Sequence, residues 1–354
     1  MLVNGKEITR DGDDAFIIAE IGHNHQGNLG TCIKLFEAAA DCGVDAVKLQ
    51  KRDNKALYTD EMYNERYNSE NAYAPTYGEH REYLEFGKDE YLHLKLVAEQ
   101  LGLIFFATAF DIPSVDFLEE IDLPAYKVGS GDLTNVPLIN YIASKQKPMF
   151  VSTGGAKKTD IYRAHSEIIK YHDNVCIMQC TSGYPAQMDE LNLRVIENYR
   201  KNLPFTVVGL SDHHHGILTP VLGYMLGARV FEKHFTLNRS WKGTDQSFSL
   251  EPAGMKKMVR DIRSIPVALG DGKKRQYVSE QSPLRKMGKM VIAKRDIPAG
   301  EIVTDDDIEC KSPCDGLPPY WIPGIVGRKL EKPIRKGEPF TQEGIAWNVD
   351  TVRT

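Results

Sequence analysis

Between Phe16 and Leu269 the chain alternates two kinds of text. Short apolar runs come first: FIIAEI (Phe16–Ile21), AVKLQ (Ala46–Gln50), IFFATAF (Ile104–Phe110) and AYKVGS (Ala125–Ser130). They continue as MFVST (Met149–Thr153), VCIMQC (Val175–Cys180), TVVGLSD (Thr206–Asp212) and VFEKHF (Val230–Phe235). Nearly continuous apolar runs, rather than strict alternation, are how strands buried on both faces read. Between them lie stretches with apolar residues at helical spacing. Thr31–Cys42 stops at Gly43, Asp89–Leu101 at Gly102 and Ile217–Leu226 at Gly227, each glycine marking a helix end. Strand and helix in regular alternation predict an α/β fold with a parallel sheet. Eight units close a (β/α)8 TIM barrel, whose usual size is about 250 residues. A doubly wound open sheet is the alternative.

The rhythm breaks twice. Residues Arg52 to Gly87, rich in Tyr, Asn and Glu, separate the second strand from its helix. In a barrel this insertion lies on the catalytic face, as a lid or substrate wall, or as a surface excursion without chemistry. After Leu269 the chain reads GDGKKR and stays polar to Lys286. This predicts a barrel domain over 1–270, a linker over 271–286 and a small domain over 287–354. In the last, short β-like runs (Met290–Ala293, Ile302–Thr304, Ile325–Gly327) stand between Pro/Gly turns. Pro298-Ala299-Gly300-Glu301 and Arg335-Lys336-Gly337-Glu338 are similar turn texts. A β-rich domain this small is marginal alone, so a homodimer in which it covers the partner's barrel mouth is expected.

Composition narrows the class without naming a chemistry. Hydrophobic content of 42% and charged content of 26% are ordinary for a globular protein. There is no apolar run long enough for a membrane span and no signal-peptide pattern, so a cytoplasmic protein with no membrane partner is expected. A net charge of -5 and a single short basic patch, Gly272–Arg275, argue against a nucleic-acid partner. Six scattered cysteines do not form a disulfide framework, and Cys310 and Cys314 lack the second pair a structural zinc needs.

The chemistry lies at the strand ends, where a barrel carries its active groups. In order they bear Glu20; Lys48 and Gln50; Thr108; Lys127, Ser130 and Asp132; Ser152; Ser182 and Tyr184; Ser211, Asp212 and His213; Glu232 and His234. Eight polar ends on apolar runs exceed what a scaffold needs, because an unpaired buried polar group costs about 1–3 kcal/mol. Lys48 and Lys127 with Thr108, Ser130, Ser152 and Ser211 suit a small molecule carrying phosphate and carboxylate. His213 and His234 end neighbouring strands and, with Glu20 close by, suit a divalent cation with open positions. Two histidines also fit a satisfied core.

The motifs resemble those of the sialic acid synthase family. These are AEIGHNHQG (Ala19–Gly27), VKLQ (Val47–Gln50), YKVGSGD (Tyr126–Asp132), QCTSGYP (Gln179–Pro185), GLSDH (Gly209–His213), EKHFT (Glu232–Thr236) and WKGTDQSFSLEP (Trp241–Pro252). Lys289–Ile308 resembles that family's C-terminal antifreeze-like (SAF) domain. The resemblance implies condensation of phosphoenolpyruvate with the open-chain aldehyde of an N-acylhexosamine, usually N-acetylmannosamine, with phosphate leaving by C–O cleavage. It implies Mn2+ or Mg2+ on His213 and His234. Phosphoenolpyruvate would meet Lys48, Thr108, Lys127, Ser130, Ser152, Ser182 and Ser211. The sugar would meet Gln50, Asp132, Tyr184 and Asp245, with Glu20 moving a proton. Two departures stand out: family members often carry Asn at Ser182 and Glu at Asp132. An arginine that some members send over the partner's sugar falls here at Ser312, with Lys311 as a substitute. The resemblance leaves free and 6-phosphorylated sugar both open, as it does legionaminate- and pseudaminate-type products. Lys51 and Lys242 are candidates for a sugar phosphate. Other readings are a metal-dependent aldolase on the same barrel and a carbohydrate- or ice-binding protein.

Overall fold

The computed structural model describes residues 1–347, so the last residues of the expected small domain, 348–354, lie outside the described residues. The chain divides into two compact units, one ending at Gly270 and one beginning at Asp271. The first is a closed parallel barrel of eight strands. They are β1 (Phe16–Gly22), β2 (Ala46–Lys51), β3 (Ile104–Ala109), β4 (Tyr126–Val128), β5 (Met149–Ser152), β6 (Val175–Cys180), β7 (Val207–Asp212) and β8 (Val230–His234). Each pairs with its sequence neighbour, and β8 closes on β1. The barrel, not the open sheet, is the fold.

Helices α1 (Leu29–Cys42), α2 (Asn54–Leu57), α3 (Asp60–Asn64), α4 (Tyr77–Tyr83) and α5 (Lys88–Gln100) are followed by α6 (Ile112–Ile121), α7 (Val136–Ala143) and α8 (Lys158–Ile168). Then come α9 (Val195–Asn202), α10 (Leu218–Met225) and α11 (Pro252–Leu269). Their ends follow local chemistry. The Asn28 side chain accepts from Thr31 N at the start of α1, and Gly43 ends it in the left-handed region at φ 81°. Each strand faces two cores. One set of side chains packs outward under the helices. The other fills the barrel with Phe16, Ile18, Phe106, Phe150, Cys176 and Met178, stacked rings of Phe16, Phe150 and Phe106 spanning it at 5.8 and 5.1 Å. Val3 and Ile8, from a short N-terminal ribbon, belong to this inner core.

Above that apolar plug the inward positions turn polar. The register sets Glu20 beside Lys48 and His234, Gln50 beside Thr108, Thr108 beside Lys127, and Ser211 beside Glu232. Lys48, Lys127, His213 and His234 all lie at the C-terminal mouth.

The insertion is folded rather than loose. It carries α2, α3 and α4, the last opened by a reciprocal Thr76–Glu79 capping box. It is tied to the segment after β8: Tyr73 OH donates to Lys242 O at 2.8 Å and Gly243 N to Asn71 Oδ1 at 2.9 Å.

In the second unit the stretch expected as a linker is not a free tether. It carries α12 (Gln281–Met287), and Arg285 holds Asp315 through two nitrogens at 2.8 and 2.6 Å. Strands β9 (Met290–Ala293) and β10 (Ile308–Lys311) pair antiparallel. Ile302 makes one bridge, to Lys329, instead of heading a strand. Ile325 ends a helical turn, α13 (Ile322–Ile325), because Pro323 suits the first turn of a helix. The two similar turns place Gly300 and Gly337 alike, each at φ 84°.

Candidate active site

Two buried ammonium groups dominate the mouth. Lys48 Nζ lies 2.6 Å from Glu20 Oε2 and 2.8 Å from Thr108 Oγ1. Lys127 Nζ lies 2.6 Å from Ser152 Oγ. Glu232 Oε1 sits between the lysines, 3.5 Å from Lys127 and 3.9 Å from Lys48, and accepts from Ser211 Oγ at 3.3 Å. Burial raises the pKa of Glu20, against the pull of Lys48. Burial acts the same way on Glu232, but Lys127 and Lys48 outweigh it and hold the pKa down at about 2.

Beside the lysines is a small hydroxyl-lined recess. Ser130 Oγ accepts from Gly154 N at 3.0 Å. A Cβ on Gly154 would stand 2.0 Å from Ser182 Oγ and 2.8 Å from Ser130 Oγ, so the missing side chain is what leaves room there. Donors of this kind around a cation are how a carboxylate or phosphate is held.

The imidazoles of His213 and His234 lie 5.4 Å apart, with the Tyr184 ring tilted against His213 at 4.2 Å. Burial lowers the His234 pKa to about 3, so the ring is neutral and able to ligate. Its Nδ1 is buried, has no hydrogen-bond partner among the described residues and lies 3.7 Å from Asp245 Oδ2. No group of three or more His, Cys, Asp or Glu is gathered as a ligand set among the described residues. The pair therefore fits an ion that draws its other ligands from water and substrate oxygens, as Mg2+ does.

At the same mouth, Gln50 Nε2 donates to Glu20 Oε1 at 2.6 Å. Asp245, Gln50 and Glu20 all converge on Gly22, within 3.3 Å of where its Cβ would be. Asp132 stands further out, on a 3-10 turn, with Asn135 Nδ2 at 3.4 Å, and burial raises its pKa. Ser312 belongs to the second unit, where its Oγ accepts from Lys289 at 2.7 Å, while Lys311 pairs with Glu309.

Sequence reasoning gave Glu232 a strand end but no role, and passed over Gly154, His23, Arg52 and Arg81. Gly154-Gly155 after an apolar strand was the available signal for the recess. Nothing in one sequence shows that the insertion returns Arg81 to the mouth.

These features define a (β/α)8-barrel enzyme with a cation-rich, hydroxyl-lined mouth. Residues 35–274 match the NeuB family and residues 288–346 the SAF domain, and the chain belongs to the NeuB family. It is 38% identical over 329 residues to human N-acetylneuraminate-9-phosphate synthase, covering 93% of this chain and 92% of that one. It is 33% identical to N,N'-diacetyllegionaminic acid synthase of Legionella pneumophila, covering 97% and 98%. Among solved structures it is similar to N-acetylneuraminic acid synthetase of Leptospira borgpetersenii in complex with citrate. The TM-score is 0.69 at 30% identity, over 80% of this chain and 94% of that one. The family suggested by the motifs is the family the chain belongs to.

Proposed function

We propose that the barrel condenses phosphoenolpyruvate with the open-chain aldehyde of an N-acetylmannosamine-type sugar. C3 of phosphoenolpyruvate bonds to the aldehyde carbon and the aldehyde oxygen takes a proton. Water adds to C2, the C2–O bond to phosphorus breaks, and inorganic phosphate leaves with a nonulosonic acid as product. The single observation that supports this reading is the pair of buried ammonium groups at the barrel mouth, Lys48 on Thr108 and Lys127 on Ser152, with Glu232 and Ser211 between them. Family membership supports it.

Lys48 and Lys127 hold the carboxylate and phosphate of the substrate and steady the charge that grows as phosphate departs. The serines and Thr108 fix its orientation. Glu20, with its raised pKa, transfers a proton at the aldehyde oxygen or the attacking water. Gln50, Asp132, Tyr184 and Asp245 receive the sugar. His213 and His234 would hold a divalent ion, Mn2+ or Mg2+, which supplies Lewis-acid polarisation of the aldehyde when bound. We further propose a homodimer in which the second unit covers the partner's barrel mouth; light scattering that finds a monomer at micromolar concentration would remove that part. No helix among the described residues is long and apolar enough to cross a membrane, and the reaction proposed is a cytoplasmic one.

The experiment is phosphate release combined with product mass. Release should require both phosphoenolpyruvate and the amino sugar, and the product mass should equal the two substrates plus water less phosphate. Phosphate released without the sugar, or pyruvate serving equally well, would defeat the proposal.

A further inference from the structure

Behind the two histidines lies a buried ion pair to which the reaction described above gives no task. Asp212 ends β7, Lys233 stands one residue from the end of β8, and the register sets them side by side. Ser211 and Glu232 share a hydrogen bond inside the barrel. Side chains alternate along a strand, so Asp212 and Lys233 face outward, toward α10. The outward positions two residues earlier hold Leu210 and Phe231, both in the apolar core under the helices. Asp212 is 3% exposed and Lys233 is 1% exposed.

A buried ion pair is seldom more stable than apolar side chains packed in the same volume. What this pair holds is therefore more telling than what it contributes to the core. Lys233 Nζ lies 2.5 Å from Asp212 Oδ2, and Thr219 on α10 donates to the same oxygen. Both charged groups then close on one residue beyond the strand. Asp212 Oδ1 accepts from His214 N at 2.9 Å, and Lys233 donates to His214 O. The peptide units on either side of His214 are thereby fixed, and the first of them is the one that follows His213.

The same turn is tied to the loop after β6. His213 Nδ1 lies 2.9 Å from Thr181 O. A carbonyl only accepts, so the neutral His213 ring carries its hydrogen on Nδ1 and keeps its lone pair on Nε2. Ala186 N donates to His213 O at 3.2 Å, and His214 Nδ1 lies 2.9 Å from Ala186 O. The place of the ion pair completes the picture. Asp212 immediately precedes His213, and Lys233 immediately precedes His234. One buried pair across the β7–β8 seam thus joins the two strand ends that carry both candidate ligands.

We propose that Asp212 and Lys233 are positioning residues for the divalent ion, locking the ends of β7 and β8 so that His213 and His234 are held at one separation. This rests on the synthase reading above and on the ion it includes. Ligands already set in place bind more tightly than ligands that must be ordered on binding. Partners that orient metal ligands are worth about 10- to 100-fold in affinity.

The test uses the full-length protein, with Mn2+ alone followed by equilibrium dialysis and phosphoenolpyruvate alone followed by calorimetry. The double variant Asp212→Asn/Lys233→Met removes both charges, so neither is left buried without its partner. Its Kd for Mn2+ should rise roughly 10- to 100-fold. Its Kd for phosphoenolpyruvate should stay the same, because Lys48 and Lys127 stand on β2 and β4. Turnover should return as Mn2+ is raised, which a generally loosened barrel would not allow. Thr219→Val, which removes only the hydroxyl bond to Asp212, should raise the Mn2+ Kd roughly threefold, and it decides the matter if the double variant does not fold. Unchanged Mn2+ affinity in a folded variant, or a loss of phosphoenolpyruvate affinity as large as the loss for Mn2+, would overturn the latch and leave the synthase reading standing. An unaltered protein that binds no Mn2+ would remove the ion from that reading and the latch with it.

Discussion

Replacing Lys127 by Met removes one ammonium from the mouth while keeping the length of the side chain. Lys127 is 3% exposed, and its Nζ stands 3.5 Å from Glu232 Oε1. At an effective dielectric constant of about 20, two unit charges at that separation attract by about 5 kcal/mol. Holding both ions away from water offsets much of this, and breaking one side of a buried pair typically costs about 3–5 kcal/mol. Lys48, 3.9 Å from the same oxygen, still faces Glu232 in the variant and moves the loss toward the lower end. Urea unfolding of Lys127→Met should therefore show a loss of about 3 kcal/mol. Glu232→Gln should also destabilise, and the double variant should lose less than the sum, with a coupling of at least about 1 kcal/mol. The same substitution takes one charged partner from the proposed phosphoenolpyruvate pocket. A hydrogen bond to a charged group is worth about 1.5–3 kcal/mol, so calorimetry should read a Kd raised roughly 10- to 150-fold. Additivity within about 0.3 kcal/mol would show that the two residues are not a pair. Unchanged phosphoenolpyruvate affinity would refute the anion pocket itself.

Three other outcomes follow from named contacts. His234→Ala should lose divalent-metal binding, read by equilibrium dialysis against Mn2+, and lose activity while its circular dichroism stays that of the folded protein; an unfolded variant would instead mark His234 as core. Gly154→Ala puts a methyl group 2.0 Å from Ser182 Oγ, so KM for phosphoenolpyruvate should rise roughly tenfold with little change in melting temperature; an unchanged KM would mean that Ser130 and Ser182 do not frame the pocket. In the second unit, Asp307 accepts from Thr304 N at 2.8 Å and Arg295 Nε at 2.6 Å. Burial there is outweighed by these bonds, which hold the carboxyl below its usual pKa. A folded-state pKa below the unfolded one means the stabilisation is present above about pH 4 and fades as pH falls through the depressed value. Asp307→Asn should cost about 1 kcal/mol at pH 7 and flatten that acid dependence; melting temperatures that keep the same slope between pH 5 and pH 2 would count against it.

How far the chain could be read in advance depended on whether a feature is local. Each barrel strand is a short run whose partners precede and follow it, and a run that must be apolar on both faces announces itself without knowledge of its neighbours. That is why Val175–Cys180 was bounded alike by pattern and by coordinates. The glycine stops were legible for the same reason: Gly43 needs only its own backbone to adopt φ 81°. In the small unit the runs were too short to choose between strand and turn on local grounds. Ile325 is apolar because it faces a core shared with Val291 and Phe340, whereas Ile302 is 51% exposed, and neither position requires a strand. The site divides in the same way. Lys48 and Lys127 were visible because charge on an apolar run is anomalous, whereas Arg52 and Arg81 sit in polar surroundings where an arginine is unremarked. Their place at the mouth arises only when the insertion folds back and sets both guanidinium groups against the His23 imidazole, which is a property of tertiary structure.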